Sequence, residues 1–488
     1  MLVCFDARSD GPRMTRFLRA LPSLAAASLF AAGAALAASP LPVTDELLAP
    51  LESAYERAVK PGEQVEPHRE LFGTVLRRVQ RSYAHEVDVP GLVAAALKTL
   101  EPLEPQSGEP AEVFRKAINA ALASLDPHSR YLDARAQSNQ RSAITGTFGG
   151  LGLQVDMVDG LVRVVAPMDG TPAARAGLQS GDLIVRFDDQ PVLGMALPDA
   201  ISRMRGQPGT PIALMIRRAG REGEFTVSLV RETIRTQTLR WSMHGDVLVL
   251  RLASFTSSAT ASIEKAIAEA TATRMPRAVV LDMRGNPGGL LREGVSLADA
   301  FLDTGEIVSL RGRTPGNRRI WKADAAQKLA GVPMVVLLDG RSASAAELVA
   351  AALQENGRAI VMGQRSFGKG SVQSIVSLGE GQGALRLTTA LYHGPSGRTV
   401  QRTGVGPDIE LFTEAATASG SRREADRAHA LPGADEPLPP KARVEQTRCA
   451  PAQKTVDPGL ACALAFLEAG GMETFLVALQ PAEASEAH

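Results

Sequence analysis

The chain has 488 residues, room for about three domains of roughly 150 residues, and 53 Lys and Arg stand against 53 Asp and Glu. A formal net charge of zero gives no reason to expect nucleic acid or an anionic surface as the main partner. With 44% hydrophobic residues but only 2 Trp and 4 Tyr, the composition is that of a globular protein whose cores are built from Leu, Val, Ile and Ala.

At the N-terminus Arg16 and Arg19 precede an apolar stretch from Leu21 to Ala35, and Ala35-Leu36-Ala37 has the spacing of a signal-cleavage site. Residues 1–37 are therefore expected to be an extension followed by an export signal, with Met14 as the working start and cleavage after Ala37. An uncleaved anchor is the alternative, although the apolar run is short of the ~20 residues a membrane span needs. The expected location is the periplasm, with association with the inner membrane left open. Of the cysteines, Cys4 falls in the extension, and Cys449 and Cys462 remain as one pair. In an oxidising compartment that pair reads as a disulfide, against two buried free thiols. The seven histidines are scattered without metal-ligand spacing, so neither a metal nor another cofactor is expected.

Residues 38–140 are expected to form an N-terminal helical region. Its first part, to about His68, mixes helical periodicity with Pro-Gly punctuation and is expected to be a flexible lead-in. Leu71, Phe72, Val75, Leu76 and Val79, then Leu92, Val93 and Leu97, mark amphipathic helices, and a further helix is predicted over Ala111–Leu122. Leu125-Asp126-Pro127-His128-Ser129 reads as a tight turn, with no evident partner for His128.

Residues 146–232 read as a β-rich unit. Phe148-Gly149-Gly150-Leu151-Gly152-Leu153-Gln154-Val155 is a glycine turn entering a strand, Thr171 to Leu178 is a short helix with Pro at its start and Gly near its end, and Leu183 to Phe187 is another strand. This stretch resembles a PDZ domain. The resemblance implies that Gly150, Leu151, Gly152 and Leu153 capture a C-terminal carboxylate on backbone N–H groups while an extended peptide adds to the strand edge. The bland reading is that these glycines only shape a turn. A helix over Ala196–Met204, with Ile201 and Met204, would form the other wall.

In residues 238–411 buried-type strands alternate with helices, which argues for an α/β layered unit. After the strand Ala278–Met283 comes Arg284-Gly285-Asn286-Pro287-Gly288-Gly289, a turn whose bare N–H groups suit an anion or simply start a helix. A second strand ends at Leu338, a turn follows, and Ala343–Gln354 is rich in helix formers. Ser344 in the first turn lies where unpaired N–H groups favour developing negative charge. Ser344-Ala345-Ala346-Glu347 equally fits a capping box, with the glutamate reaching back to the serine. Twenty-five residues on, Lys369 stands between Gly368 and Gly370. A lysine deprotonates a serine only when neutral, which requires burial. Gln373, four residues further along a predicted strand, is placed to orient the amine. Gly363 to Lys369 also matches seven positions of a nucleotide-binding loop, but Gly370 stands where Ser or Thr would hold magnesium.

Ser-Ala-Ser-Ala-Ala-Glu followed by Phe-Gly-Lys-Gly-Ser-Val-Gln resembles the carboxy-terminal processing peptidases, or tail-specific proteases. The resemblance covers about residues 70–411, and the Leu-Asp-Pro-His-Ser string is similar to a segment of the same family. It implies that Ser344 is the nucleophile, Lys369 the general base and Gln373 the residue positioning the lysine, while Ser342 is neighbouring structure. It implies an oxyanion site made by Gly288, rather than Gly289, with the amide of Ala345.

Residues 412–445 have the composition of a solvated linker, and 446–488 that of a small helical tail. The tail's partner, whether the catalytic unit, a second subunit or nothing, is left open. The expected fold class is α+β multidomain: an N-terminal helical segment, a PDZ-like β-rich domain, an α/β layered serine peptidase core and the C-terminal tail. The expected function is an exported serine endopeptidase that takes proteins with apolar C-terminal tails; association with a second copy or an adaptor is left open. A PDZ scaffold or adaptor with an inactive peptidase core is the alternative of a different class.

Overall fold

Leu71, Phe72, Val75, Leu76 and Val79 recur at helical spacing, and in the computed structural model they line the buried face of the helix Glu66–Ser82. The structure describes residues 42–60, 66–314, 318–324, 327–413, 422–433, 436, 438–449 and 456–480. The expected export signal lies outside the described residues.

The helix Glu66–Ser82 packs with Asp45–Ala58 and Pro110–Ala123, and Val89–Leu100 packs on those same two helices. The expected flexible lead-in is thus corrected: Asp45–Ala58 is a helix, capped by Thr44 Oγ1, with Leu48, Leu51 and Tyr55 buried. Pro50 obscured it in the sequence, yet the stripe of three large apolar residues offsets the backbone hydrogen bond that proline forfeits. Tyr55, Phe72, Phe114 and Tyr131 form a chain of ring contacts with centroids 4.8 to 5.4 Å apart. Leu385 and Leu387, from the strand Ala384–His393 of the catalytic unit, are buried in the same core. The helical region and the catalytic unit therefore share apolar surface.

Residues 147–235 form the β-rich unit. Its main sheet runs Leu153–Val158, Leu161–Pro167, Leu183–Phe187, Pro211–Arg217, Glu224–Val230, so Leu153–Val158 is an edge strand. A two-stranded ribbon, Thr147–Gly150 with Glu232–Arg235, joins the unit to the rest of the chain.

The catalytic unit is built on a seven-stranded sheet in the order Leu239–His244, Val247–Leu252, Ala278–Asp282, Met334–Leu338, Ile360–Gly363, Ile409–Phe412, Ala442–Glu445. All neighbours run parallel except the first pair. Side chains alternate between its faces. Leu248, Leu250, Val279, Leu281 and Val336 meet the helices Ala259–Thr273, Leu291–Phe301 and Ala345–Glu355, while Val247, Val249, Val280, Val335 and Leu337 meet the tail helix Pro458–Ala469. Cover on both faces is why these strands read as unbroken apolar runs. A second sheet carries the hairpin Ser371–Ser377 and Ala384–His393, flanked by Arg130–Leu132 and Glu306–Arg311, with Arg319–Lys322 outside the latter.

One expectation for the C-terminal part changes. The described residues between 422 and 445 are not a solvated linker: Glu424, Leu431 and Val444 are buried, and Leu411 pairs with Val444 in the sheet. Their charged and proline-rich composition hid three side chains that find partners only in the fold. The tail, whose partner was left open, covers the catalytic sheet, and Cys449 and Cys462 are bridged with Cα atoms 4.9 Å apart.

Leu387→Ala tests the shared core. The substitution is expected to cost about 2–5 kcal/mol and to lower one coincident melting transition followed by far-UV and near-UV circular dichroism.

Candidate active site

Ser344 ends the turn after the strand Met334–Leu338 and precedes the helix Ala345–Glu355. Its backbone has φ 57° and ψ −115°, a left-handed conformation that costs a non-glycine residue about 1–3 kcal/mol. Three bonds hold it there. Its N–H donates to Glu347 Oε2 at 2.7 Å, and its carbonyl accepts from Tyr392 Oη at 3.0 Å and Leu348 N at 2.9 Å. Ser342 supports the turn, donating to the Met283 carbonyl at 2.9 Å and accepting from Asp339 N at 2.9 Å.

Glu347 does reach back to the Ser344 amide, as a capping box requires, but that is one of four bonds. The same carboxylate accepts from Ser366 Oγ at 2.6 Å, Gly368 N at 2.6 Å and Lys369 N at 2.9 Å. The amides of Ser344 and Lys369 thus share one oxygen, Oε2. Burial pushes the Glu347 carboxyl up, against the pull of the four donors.

Lys369 lies just ahead of the strand Ser371–Ser377, and its Nζ donates to Gln373 Oε1 at 2.7 Å and the Ser371 carbonyl at 3.1 Å. Burial, reinforced by the Arg386 guanidinium, lowers its pKa to about 8, although Glu424, Glu347 and Asp126 oppose the change. Gln373 cannot flip its amide without loss. Its Nε2 donates to Ser371 Oγ at 3.0 Å and to Thr388 Oγ1 at 3.2 Å, and the Thr388 hydroxyl donates to Asp126 Oδ1 at 3.1 Å.

That last bond gives the Leu-Asp-Pro-His-Ser turn a second duty. Asp126 also accepts from His128 N, Ser129 N and Ser129 Oγ, at 2.8, 2.9 and 2.6 Å. His128, expected to have no partner, meets the buried Glu424 carboxylate through Nε2 at 2.8 Å. The residue lies 296 positions away and on the stretch taken for a linker, so no local pattern could reveal it. Gln401 closes the ring, accepting from Gly370 N at 2.9 Å and donating to Glu424 Oε1 at 3.3 Å. Asp126, Thr388, Gln401, Glu424 and Arg386 were all missed from sequence.

The glycine turn abuts Ser344. A Cβ on Gly288 would stand 2.7 Å from the Ser344 Cβ and 2.8 Å from the Ala345 amide nitrogen, so only glycine fits. The Ala345 N–H is the first of the helix and has no acceptor within it. The Gly288 N–H, expected to be the partner donor, instead donates to Asn286 Oδ1 at 2.8 Å. Preference for Gly288 over Gly289 as an anion donor therefore requires that bond to open.

Gly150, Leu151, Gly152 and Leu153 line a groove of about 170 Å³ whose other walls are Val155 on the edge strand and Ile201 and Met204 on the helix Leu197–Met204. Gly152 has φ 77°, and a Cβ there would overlap Thr171 at 2.3 Å. The loop's shape thus depends on this glycine. Among the described residues no group of three or more His, Cys, Asp or Glu could hold a metal.

Comparison with known proteins agrees with this layout. The model of peptidase family S41 matches residues 246–411, and that of the PDZ domain residues 163–218. The chain is 45% identical over 301 residues to a carboxy-terminal-processing protease of Bartonella bacilliformis, 61% of this chain and 69% of that one. It is 30% identical over 376 residues to a chloroplastic C-terminal processing peptidase of Tetradesmus obliquus, 73% of this chain and 80% of that one. The solved structure of a photosystem II D1 C-terminal processing protease shares 29% identity over 70% of this chain and 93% of that one, with a TM-score of 0.45. The chain belongs to the carboxy-terminal-processing serine peptidases of family S41 and carries a PDZ domain.

Proposed function

We propose that this peptidase is exported, takes protein substrates by their C-termini and cleaves them with a Ser344–Lys369 dyad. The observation that carries the reading is the environment of Lys369: half-buried, with a pKa lowered to about 8 and bonded to Gln373. A neutral amine has two N–H groups and one lone pair. Gln373 Oε1 and the Ser371 carbonyl occupy two donor directions, which leaves the lone pair to take the Ser344 proton.

Ser344 Oγ then attacks the scissile carbonyl, and its proton passes to Lys369 Nζ. The ammonium returns that proton to the leaving amine, and water, deprotonated by the same amine, hydrolyses the acyl-enzyme. The Ala345 amide at the helix start stabilises the tetrahedral oxyanion, with the second donor coming from the glycine turn. That donor is Gly289, or Gly288 once its bond to Asn286 opens.

Upstream, the groove at Gly150–Leu153 receives the substrate's tail. Its carboxylate meets the loop amides, its backbone extends the edge strand Leu153–Val158, and Ile201 and Met204 favour an apolar terminal side chain. Export to the periplasm is supported by the basic and apolar N-terminal run and its Ala35-Leu36-Ala37 site. The Cys449–Cys462 bridge agrees with an oxidising compartment.

Three measurements test the reading. With mature protein from Ala38 onward and a reporter bearing an apolar C-terminal tail, Ser344→Ala and Lys369→Ala are each expected to lower kcat/KM by at least about a thousandfold; near-normal turnover by either variant refutes the dyad. Because the amine works unprotonated, wild-type kcat/KM is expected to rise with pH through a midpoint at about 8 and level off above it. Arg386→Met removes a cation facing that amine and is expected to move the midpoint to higher pH. Finally, amidating the C-terminus of an apolar tail peptide is expected to weaken its binding to Ser344→Ala protein by about tenfold or more, measured by calorimetry.

A further inference from the structure

The tail helix Pro458–Ala469 meets the glycine turn through its N-cap, Asp457, which is bonded to the side chain of Arg284. Arg284 is the residue from which the turn to Gly289 departs, and its guanidinium lies between two carboxylates. Nε and Nη2 donate to Asp282 at 2.9 and 2.7 Å, and Nη1 and Nη2 donate to Asp457 at 2.6 and 3.0 Å. Asp282 belongs to the strand that delivers the turn; Asp457 is the N-cap of the tail helix, where it also accepts from Leu460 N at 3.1 Å.

Two further features show that this meeting is built in. Gly459 lies against the guanidinium, and a Cβ there would stand 2.8 Å from Arg284 Nη1. The Cys449–Cys462 bridge then fixes the helix one turn beyond Asp457, with Cys462 fully buried against the sheet. The turn itself is tied at its other corners: Gly285 N donates to Asp339 Oδ1 at 2.8 Å, and the Asn286 carbonyl accepts from Ala343 N at 2.9 Å. A short, bonded path thus runs from Arg284 through Gly285 and Asn286 to Gly288 and to Ala343, the residue before Ser344.

We propose that Asp457 is a positioning residue for catalysis: through the Arg284 guanidinium, the disulfide-held C-terminal helix sets the register of the glycine turn that stabilises the oxyanion. The inference rests on the reading of that turn as the anion site. Burial opposes charge on Asp457, yet the Arg284 guanidinium more than offsets it and holds the carboxyl below its usual range. The pair is thus ionised throughout the working pH range, and its forked geometry is available to hold direction as well as distance. It also gives the C-terminal segment a task within this enzyme's own active site rather than in a second subunit.

The test compares wild type, Asp457→Asn, Asp457→Glu and Gly459→Ala in the mature full-length chain on a short peptide substrate without a tail for the groove. Asparagine keeps an acceptor to cap the helix but loses the charge, and alanine at 459 displaces the guanidinium while leaving both carboxylates. Asp457→Asn and Gly459→Ala are expected to lower kcat by between about tenfold and a hundredfold with KM little changed, at temperatures well below their melting points. Asp457→Glu is expected to recover a large part of the loss. Gly289→Ala, whose Cβ would stand 2.2 Å from the Phe255 carbonyl oxygen, serves as the reference for a broken turn. If Asp457→Asn lowers only the melting temperature while Gly289→Ala is inactive, the tail is a stabilising cover and the positioning role is wrong. If Gly289→Ala is also fully active, the anion site lies elsewhere and the role fails with it.

Discussion

One carboxylate, that of Glu347, decides where Ser344 and Lys369 stand. It is completely buried and accepts from the Ser344 amide on one side and from Ser366, Gly368 and Lys369 on the other. A buried carboxylate with fewer donors would carry a large desolvation penalty, so all four bonds have to be made together. The Ser344 turn and the Lys369 loop, 25 positions apart in the chain, are thereby drawn to one carboxylate. The left-handed backbone of Ser344 is sustained by the same arrangement, because its strain is offset by the bonds its amide and carbonyl make with Glu347, Tyr392 and Leu348.

The lysine is governed by a balance of opposite tendencies. Burial and the Arg386 guanidinium drive its amine toward the neutral form, while Glu424, Glu347 and Asp126 draw it back. Without the carboxylates the loop would fold around an uncompensated cation, and without the burial the amine would keep its proton at neutral pH. The Asp126–Thr388–Gln373 chain of hydrogen bonds then fixes which end of the glutamine amide faces Nζ. A positional tolerance of this kind is what a proton transfer between two side chains demands.

The site is also composite. Asp126 and His128 come from the end of the N-terminal helical region, Ser344, Lys369 and the glycine turn from the catalytic unit, Glu424 from the stretch beyond it, and Asp457 from the tail. Leu385 and Leu387 tie the first of these to the second through a common apolar core, and the two faces of the seven-stranded sheet tie the second to the last. The PDZ unit stands apart in this respect, with its own core and a two-stranded ribbon as its root.

Much of this was legible in the chain because its signals are local. The strands of the parallel sheet announce themselves as apolar runs, the helices of residues 71–122 as stripes, and the two glycine turns as gaps no side chain could fill, so the layered architecture and the PDZ unit follow from periodicity and motif. Ser344, Lys369 and Gln373 stand out for the same reason, being set in short strings of fixed spacing. What local pattern cannot express is compensation across distance. His128 finds Glu424 296 positions away, in a stretch whose charge and proline content read as a solvated linker, and Arg284 finds Asp457 173 away, in a helical tail whose partner the sequence left open. A charged residue looks the same in sequence whether water or an opposite charge surrounds it, and only the tertiary structure decides which. The chain by itself thus determined most of the helices and strands and the candidate side chains; the fold decided which buried charges hold them in place, since a lone charge is excluded from the interior and a paired one is not.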